Sequence, residues 1–107
     1  CGGDRDKTKR PVMGKIASDL SDKVVITSDN PRTENPIEII EDIKKGISKN
    51  NYEVEEKREE AIRKAIQNSD DNAVILIAGK GHENYQEING VRNHFSDQEI
   101  AIKYLTE

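Results

Sequence analysis

Apolar residues along the chain come in short clusters, and the spacing within each cluster names an element. In PVMGKIASDL (11–20), Val12, Ile16, Ala17 and Leu20 fall at helical spacing, with Pro11 suited to a first turn. VVITS (24–28) is a β-branched run of strand length. A second helix is expected from Pro36, with Asn35 as its N-cap, Glu38 at the capping-box position, and Ile37, Ile40, Ile43 and Ile47 as its apolar stripe. NNYEV (50–54) holds a short strand, and EEKREEAIRKAIQNS (55–69) a charged helix whose buried side is Ala61, Ile62, Ala65 and Ile66. AVILIAG (73–79) is apolar throughout, which predicts a strand covered on both faces, as in a parallel sheet. YQEI and VRNHF flank Asn89-Gly90, a pair suited to a type I′ turn and hence to a hairpin over 85–95. SDQEIAIKYL (96–105) closes the chain as a helix with a Ser96 and Glu99 capping box.

Strands alternating with helices predict an α/β fold: a Rossmann-like, open, mostly parallel sheet with a C-terminal β-hairpin. The first residues, CGGDRDK, resemble a loop leaving a strand, so the natural first strand is expected to lie ahead of Cys1. Right-handed crossovers would bring GGDRDK, SDNPR and AGKGHE to the carboxyl ends of the strands, where open α/β sheets bind ligands.

Composition narrows the function. The 107 residues are 33% hydrophobic and 36% charged, so one domain with a thin core is expected. A net charge of −4, with no basic block, argues against a nucleic-acid partner. AVILIA is too short to cross a membrane, and the start has charges but no apolar leader, so a cytoplasmic chain is expected. One cysteine excludes an internal disulfide; with His82 and His94 it makes no zinc-ligand spacing, and no metal site is expected.

The three loops carry mixed charge: Asp4, Arg5, Asp6 and Lys7; Asp29 and Arg32; Lys80, His82 and Glu83. Mixed signs suit a small zwitterion better than a phosphate. Arg32, with Arg5, can offer paired donors to a carboxylate, while Glu83, Asp29 and the Gly79 carbonyl are candidates for an ammonium. Pro31 stiffens the second loop and lowers the entropy lost on docking. Other readings stay open at this level. Asp29-Asn30-Pro31 also fits a plain turn, and GGDRDK a solvated strand-to-helix turn. GKG (79–81) lacks the G-x-x-x-x-G-K-[ST] spacing of a P-loop. His94 fits a surface position, and the acidic run Glu53, Glu55, Glu56, Glu59 and Glu60 a solvated helix face.

Together, GGDRDKTKRP (2–11), DNPRTE (29–34) and AGKGHENY (78–85) resemble the carboxy-terminal domain of the muramyl ligase family. The match is to the branch that adds the third peptide residue to UDP-N-acetylmuramoyl-L-alanyl-D-glutamate, and it spans nearly the whole chain. DNPR is the signature associated with members that add meso-diaminopimelate, and Asp29, Asn30, Pro31 and Arg32 match it without departure. The resemblance implies that Arg5 helps bind the diaminopimelate carboxylates and that residues 29–32 bind the same amino acid, with Arg32 at its far carboxylate. It implies that Gly79 and Glu83 hold the far ammonium and that Lys7 lies near the nucleotide phosphates.

It also implies that residues 1–107 are one domain of a monomeric, cytoplasmic bacterial enzyme that uses ATP and Mg2+, and that they are inactive alone. The ATP-binding P-loop, the magnesium ligands and the UDP-sugar domain of the family are not in this sequence. The alternatives are a ligase for an analogue such as lanthionine, a folylpolyglutamate-type ligase, a nucleotide-binding module, and an interaction domain using helix 55–69.

Overall fold

A computed structural model describes residues 1–106. Its elements run α1 (Lys9–Leu20), β1 (Val24–Ile26), α2 (Pro36–Lys44), β2 (Tyr52–Val54), α3 (Arg58–Gln67), β3 (Tyr85–Ile88), β4 (Val91–His94) and α4 (Asp97–Leu105). The class is α/β, with a small parallel sheet and an antiparallel hairpin. In the parallel pair Val24, Val25 and Ile26 of β1 lie opposite Tyr52, Glu53 and Val54 of β2. In the hairpin Tyr85 faces His94 and Ile88 faces Val91. Asn89 (φ 51°) and Gly90 (φ 79°) both turn left-handed between its strands, as a type I′ turn requires.

Ile26 of β1 and Ile39, Ile40 and Ile43 of α2 form the core, with Cys1, Val24, Ile47 and Tyr52 packed around it. Strand alternation turns Val25 to the other face, where α3 lies against β1 and α4 packs on α3. Each buried isoleucine contributes roughly 1.5–3 kcal/mol, so a core this small leaves the arrangement of the loops to polar contacts. The α2 N-terminus forms as expected, with Asn35 Oδ1 accepting from the Ile37 amide at 2.9 Å; the expected stripe shifts, since Ile39 is buried and Ile37 exposed. Ser96 caps α4 by accepting from the Glu99 amide.

Two expectations are corrected. On α1 the buried stripe is Arg10, Gly14 and Ser18, not Val12, Ile16 and Leu20, which are exposed. The cause is close packing on α2: a Cβ at Gly14 would stand 2.2 Å from the Ile43 carbonyl oxygen, so only small side chains or a paired arginine fit that face. Residues 73–79 form no strand among the described residues, and Val74 and Leu76 are 97% and 87% exposed. A strand needs a neighbour for its amides and carbonyls, but among the described residues β1 is paired only with β2 and its other edge carries no strand. Ile75 and Ile77 still face α3 and α4, lining a cleft with Ile66, Ala101 and Leu105.

Candidate functional site

The second loop begins where β1 ends, and nearly every polar group in it is engaged. The Gly3 amide donates to the Asn30 carbonyl at 2.7 Å, and a Cβ on Gly3 would stand 1.8 Å from the Pro31 carbonyl oxygen. Only glycine permits that approach. Asp4 adds two links: its amide donates to Glu34 Oε2 at 2.6 Å and its carboxylate accepts from Thr33 Oγ1 at 2.7 Å. Beneath them Arg10, 1% exposed, donates from both Nη atoms to Glu34 and also reaches Asp42 and the Gly2 carbonyl. These bonds hold the Glu34 carboxyl far below its ordinary 4.5, at about 2; Arg10 is the main cause and the Asp4 amide the next.

The third loop meets the second from the other side. Lys80 is buried, and its ammonium donates to Asn30 Oδ1 at 2.9 Å and to the Tyr85 carbonyl at 2.8 Å. It lies 3.0 Å from Asp29 Oδ1, a charge contact without hydrogen-bond alignment. The Glu87 amide also donates to Asn30 Oδ1, and Gln86 Nε2 to the Asp29 carbonyl. Arg32 forms a one-residue parallel bridge to β3: its amide donates to the Glu87 carbonyl and its carbonyl accepts from the Asn89 amide. The segments that lead into the two loops are joined by Arg58. Its guanidinium donates to the carbonyls of Ser28 and Ala78, just ahead of Asp29 and Gly79, and to both oxygens of buried Asp97.

Arg32 has φ 53°, a left-handed backbone that costs a non-glycine residue roughly 1–2 kcal/mol. Such strain persists where surrounding bonds over-determine it, and it gathers at functional sites. Its Nη1 donates to the Gly3 carbonyl at 3.0 Å and lies 3.5 Å from the Asn30 carbonyl. Among the described residues Nε and Nη2 meet no acceptor, so one edge of the guanidinium keeps its parallel donors.

The structure therefore brings together Asp29, Asn30, Pro31, Arg32 and Gly79, whose Cβ position would lie 3.5 Å from Asp29 Oδ2. Glu83 stands half-buried in the third loop, accepting from the Tyr85 hydroxyl at 3.3 Å. Among the described residues Arg5, which is exposed, bonds only to the neighbouring Asp4 carbonyl; exposed Lys7 lies 3.6 Å from Glu34. An open cleft of about 340 Å³ lies behind the second loop, but Pro31 is the one expected ligand residue in its lining, so it does not coincide with the polar site. Among the described residues no three metal-ligating side chains converge.

Sequence reasoning treated Lys80 as a free rim charge and passed over Arg58 and Arg10 altogether. Arg58 left one signal, since it shares the helical face of Ala61, Ile62 and Ala65 and so had to be buried with them. Lys80 left none, because its burial depends on a loop fifty positions away.

A profile described as "Mur ligase, glutamate ligase domain" matches residues 1–81. UDP-N-acetylmuramoyl-L-alanyl-D-glutamate--2,6-diaminopimelate ligase 1 of Clostridium acetobutylicum is 57% identical over 107 residues, all of this chain. The 2,6-diaminopimelate ligases of Fusobacterium nucleatum and Haemophilus ducreyi are 57% and 54% identical over 98% and 100% of it. A solved structure of a ligase of that name superposes with a TM-score of 0.93 at 46% identity, covering 99% of this chain. In each case the chain spans about a fifth (22%) of the protein it matches. On the family profile and on relatives this close, the chain belongs to the Mur ligase family.

Proposed function

We propose that this chain is the C-terminal, amino-acid-binding domain of an ATP-dependent ligase that joins meso-diaminopimelate to UDP-N-acetylmuramoyl-L-alanyl-D-glutamate. The observation that carries this is the strained, anchored Arg32 with one guanidinium edge left open. A planar pair of donors matches a carboxylate in a way that an ammonium cannot. Arg32 takes the carboxylate at the far end of diaminopimelate, with Asn30 Nδ2 and exposed Arg5 as further donors. The Gly79 carbonyl and the carboxylates of Glu83 and Asp29 receive the neighbouring ammonium, and Pro31 keeps the loop stiff. Lysine has the same chain without that carboxylate, so it would leave the cationic fork unmatched. Such mismatches support rejection by large factors.

The reaction forms one amide bond. The D-glutamate side-chain carboxylate takes the terminal phosphoryl group of ATP, releasing ADP; the diaminopimelate amine then attacks the acyl carbon, and phosphate and a proton leave. This chain orients the amine. Its one glycine-flanked lysine, Lys80, is buried and engaged, so phosphate and Mg2+ fall to parts of the protein outside it, with exposed Lys7, which here lies 3.6 Å from Glu34, placed near the nucleotide phosphates. Those parts also hold the UDP-sugar, and the whole protein acts as a cytoplasmic monomer. The rival readings, an analogue ligase, a folylpolyglutamate-type ligase, a nucleotide module or an interaction domain, gain nothing from relatives that are named as 2,6-diaminopimelate ligases.

The test is Arg32→Ala in the whole protein. Loss of charge-assisted bonds should raise the KM for diaminopimelate about tenfold to a hundredfold, with the KM for ATP little changed. An equal rise in both would remove the arginine from amino-acid recognition.

A further inference from the structure

We propose that Lys80 is a positioning residue for amino-acid recognition, one that fixes the side-chain amide of Asn30 so that its NH2 group faces the ligand. The inference rests on the proposed site above and assigns a role to a residue which that site does not otherwise use. The side chain of Lys80 is fully buried, and its ammonium has Asn30 Oδ1, the Tyr85 carbonyl and Asp29 around it. Two of its three N–H donors go to Asn30 Oδ1 and the Tyr85 carbonyl, and the Asp29 carboxylate lies 3.0 Å away, so this fully buried ammonium has no face open to a phosphate or a substrate. A buried cation so completely engaged acts on its partners.

The partner that matters is Asn30. A side-chain amide can sit in either of two flipped orientations, one presenting oxygen and the other NH2 to a given neighbour. Here two donors, Lys80 Nζ and the Glu87 amide, converge at 2.9 Å on the same end of the group. Only oxygen can satisfy both. The flipped form would set NH2 against an ammonium and a backbone N–H, leaving donors buried without acceptors, each at a cost of about 1–3 kcal/mol. Nδ2 is therefore held on the opposite side, where it meets no acceptor among the described residues although the residue is 98% buried (2% exposed). Asn30 adjoins Pro31 and Arg32 in the rigid loop. In this proposal its N–H and the open edge of Arg32, two positions on in the same loop, serve one ligand carboxylate. Lys80 belongs to the third loop and Asn30 to the second, so their hydrogen bond also ties the two loops together and holds the two ends of the ligand site at a fixed separation.

The experiment uses the whole protein with diaminopimelate as the probe. Lys80→Met removes the charge and the donors; the KM for diaminopimelate should rise about tenfold or more, while that for ATP stays within about twofold. Asn30→Asp guards against a variant that fails to fold. A carboxylate still accepts from Lys80 and the Glu87 amide, so the thermal midpoint should hold, but the outward donor becomes an acceptor and the diaminopimelate KM should rise comparably. The double variant should be no worse than the poorer single one, because both act on one group. An unchanged diaminopimelate KM in Asn30→Asp, or an equal rise for both substrates in Lys80→Met, overturns the inference. If diaminopimelate is not a substrate of the unaltered protein, or Arg32→Ala leaves its KM unchanged, the underlying site assignment fails instead.

Discussion

Arg58 sits behind the ligand loops, and replacing it tests whether buried polar contacts hold them in place. Its Nε and Nη2 donate to the two Asp97 oxygens at 2.7 Å each, and its Nη1 and Nη2 donate to the Ser28 and Ala78 carbonyls at 3.1 and 3.0 Å. Both charged residues are buried, at 4% and 5% exposure. Arg58→Met keeps the volume of the stem and removes every donor. The largest consequence is a carboxylate stranded away from water, for which breaking a buried pair costs about 3–5 kcal/mol. Against a total stability of roughly 5–15 kcal/mol for a domain this size, that loss is severe. Asp97→Asn leaves a neutral acceptor for one arginine donor and should cost less, about 1–3 kcal/mol. Arg58→Met with Asp97→Leu removes both charges, so the double variant should lose clearly less than the sum of Arg58→Met and Asp97→Leu. Urea unfolding of the 107-residue chain followed by far-ultraviolet circular dichroism measures each value. A cost below about 1 kcal/mol for Arg58→Met, the range of exposed ion pairs, would refute the reasoning. So would strict additivity in the cycle. A large cost would also explain how the loops stay in register, since the two carbonyls it frees precede Asp29 and Gly79.

Two further outcomes follow from other parts of the fold. The Glu34 carboxyl is held at about 2 by Arg10 against an ordinary 4.5, so the unfolded chain takes up the proton first as pH falls. Its contribution is present above 4.5 and drains away toward 2; Glu34→Gln should therefore be less stable at neutral pH and lose less than the unaltered chain across that acid window, and parallel losses in denaturant titrations would rule this out. The amides of residues 74–77, which have no strand neighbour here, should exchange with solvent freely in the 107-residue chain but at least about a hundredfold more slowly in the whole protein. Equal rates would mean that nothing covers Val74 and Leu76 there.

Local chemistry was legible in the sequence. Asn35-Pro36 started α2, Asn89-Gly90 turned the hairpin and Ser96 capped α4, because each depends on backbone geometry within a few residues. The order of elements placed the three polar loops, and DNPR named the residues that the structure gathers. Partnership across the chain was not legible. The apolar run at 73–78 carried the composition of a buried strand, yet a ladder requires a neighbour that composition cannot supply. The apolar spacing on α1 suggested one face, and the close approach of α2 at Gly14 selected another. Lys80 and Arg58 looked like solvated charges because Asn30, which fixes the one, and Ser28, Ala78 and Asp97, which fix the other, lie 20 to 50 residues away. Hydrogen bonds to such distant groups exist only once the chain is folded, so burial of a charge is decided by tertiary structure, while turns and caps are decided by adjacent residues.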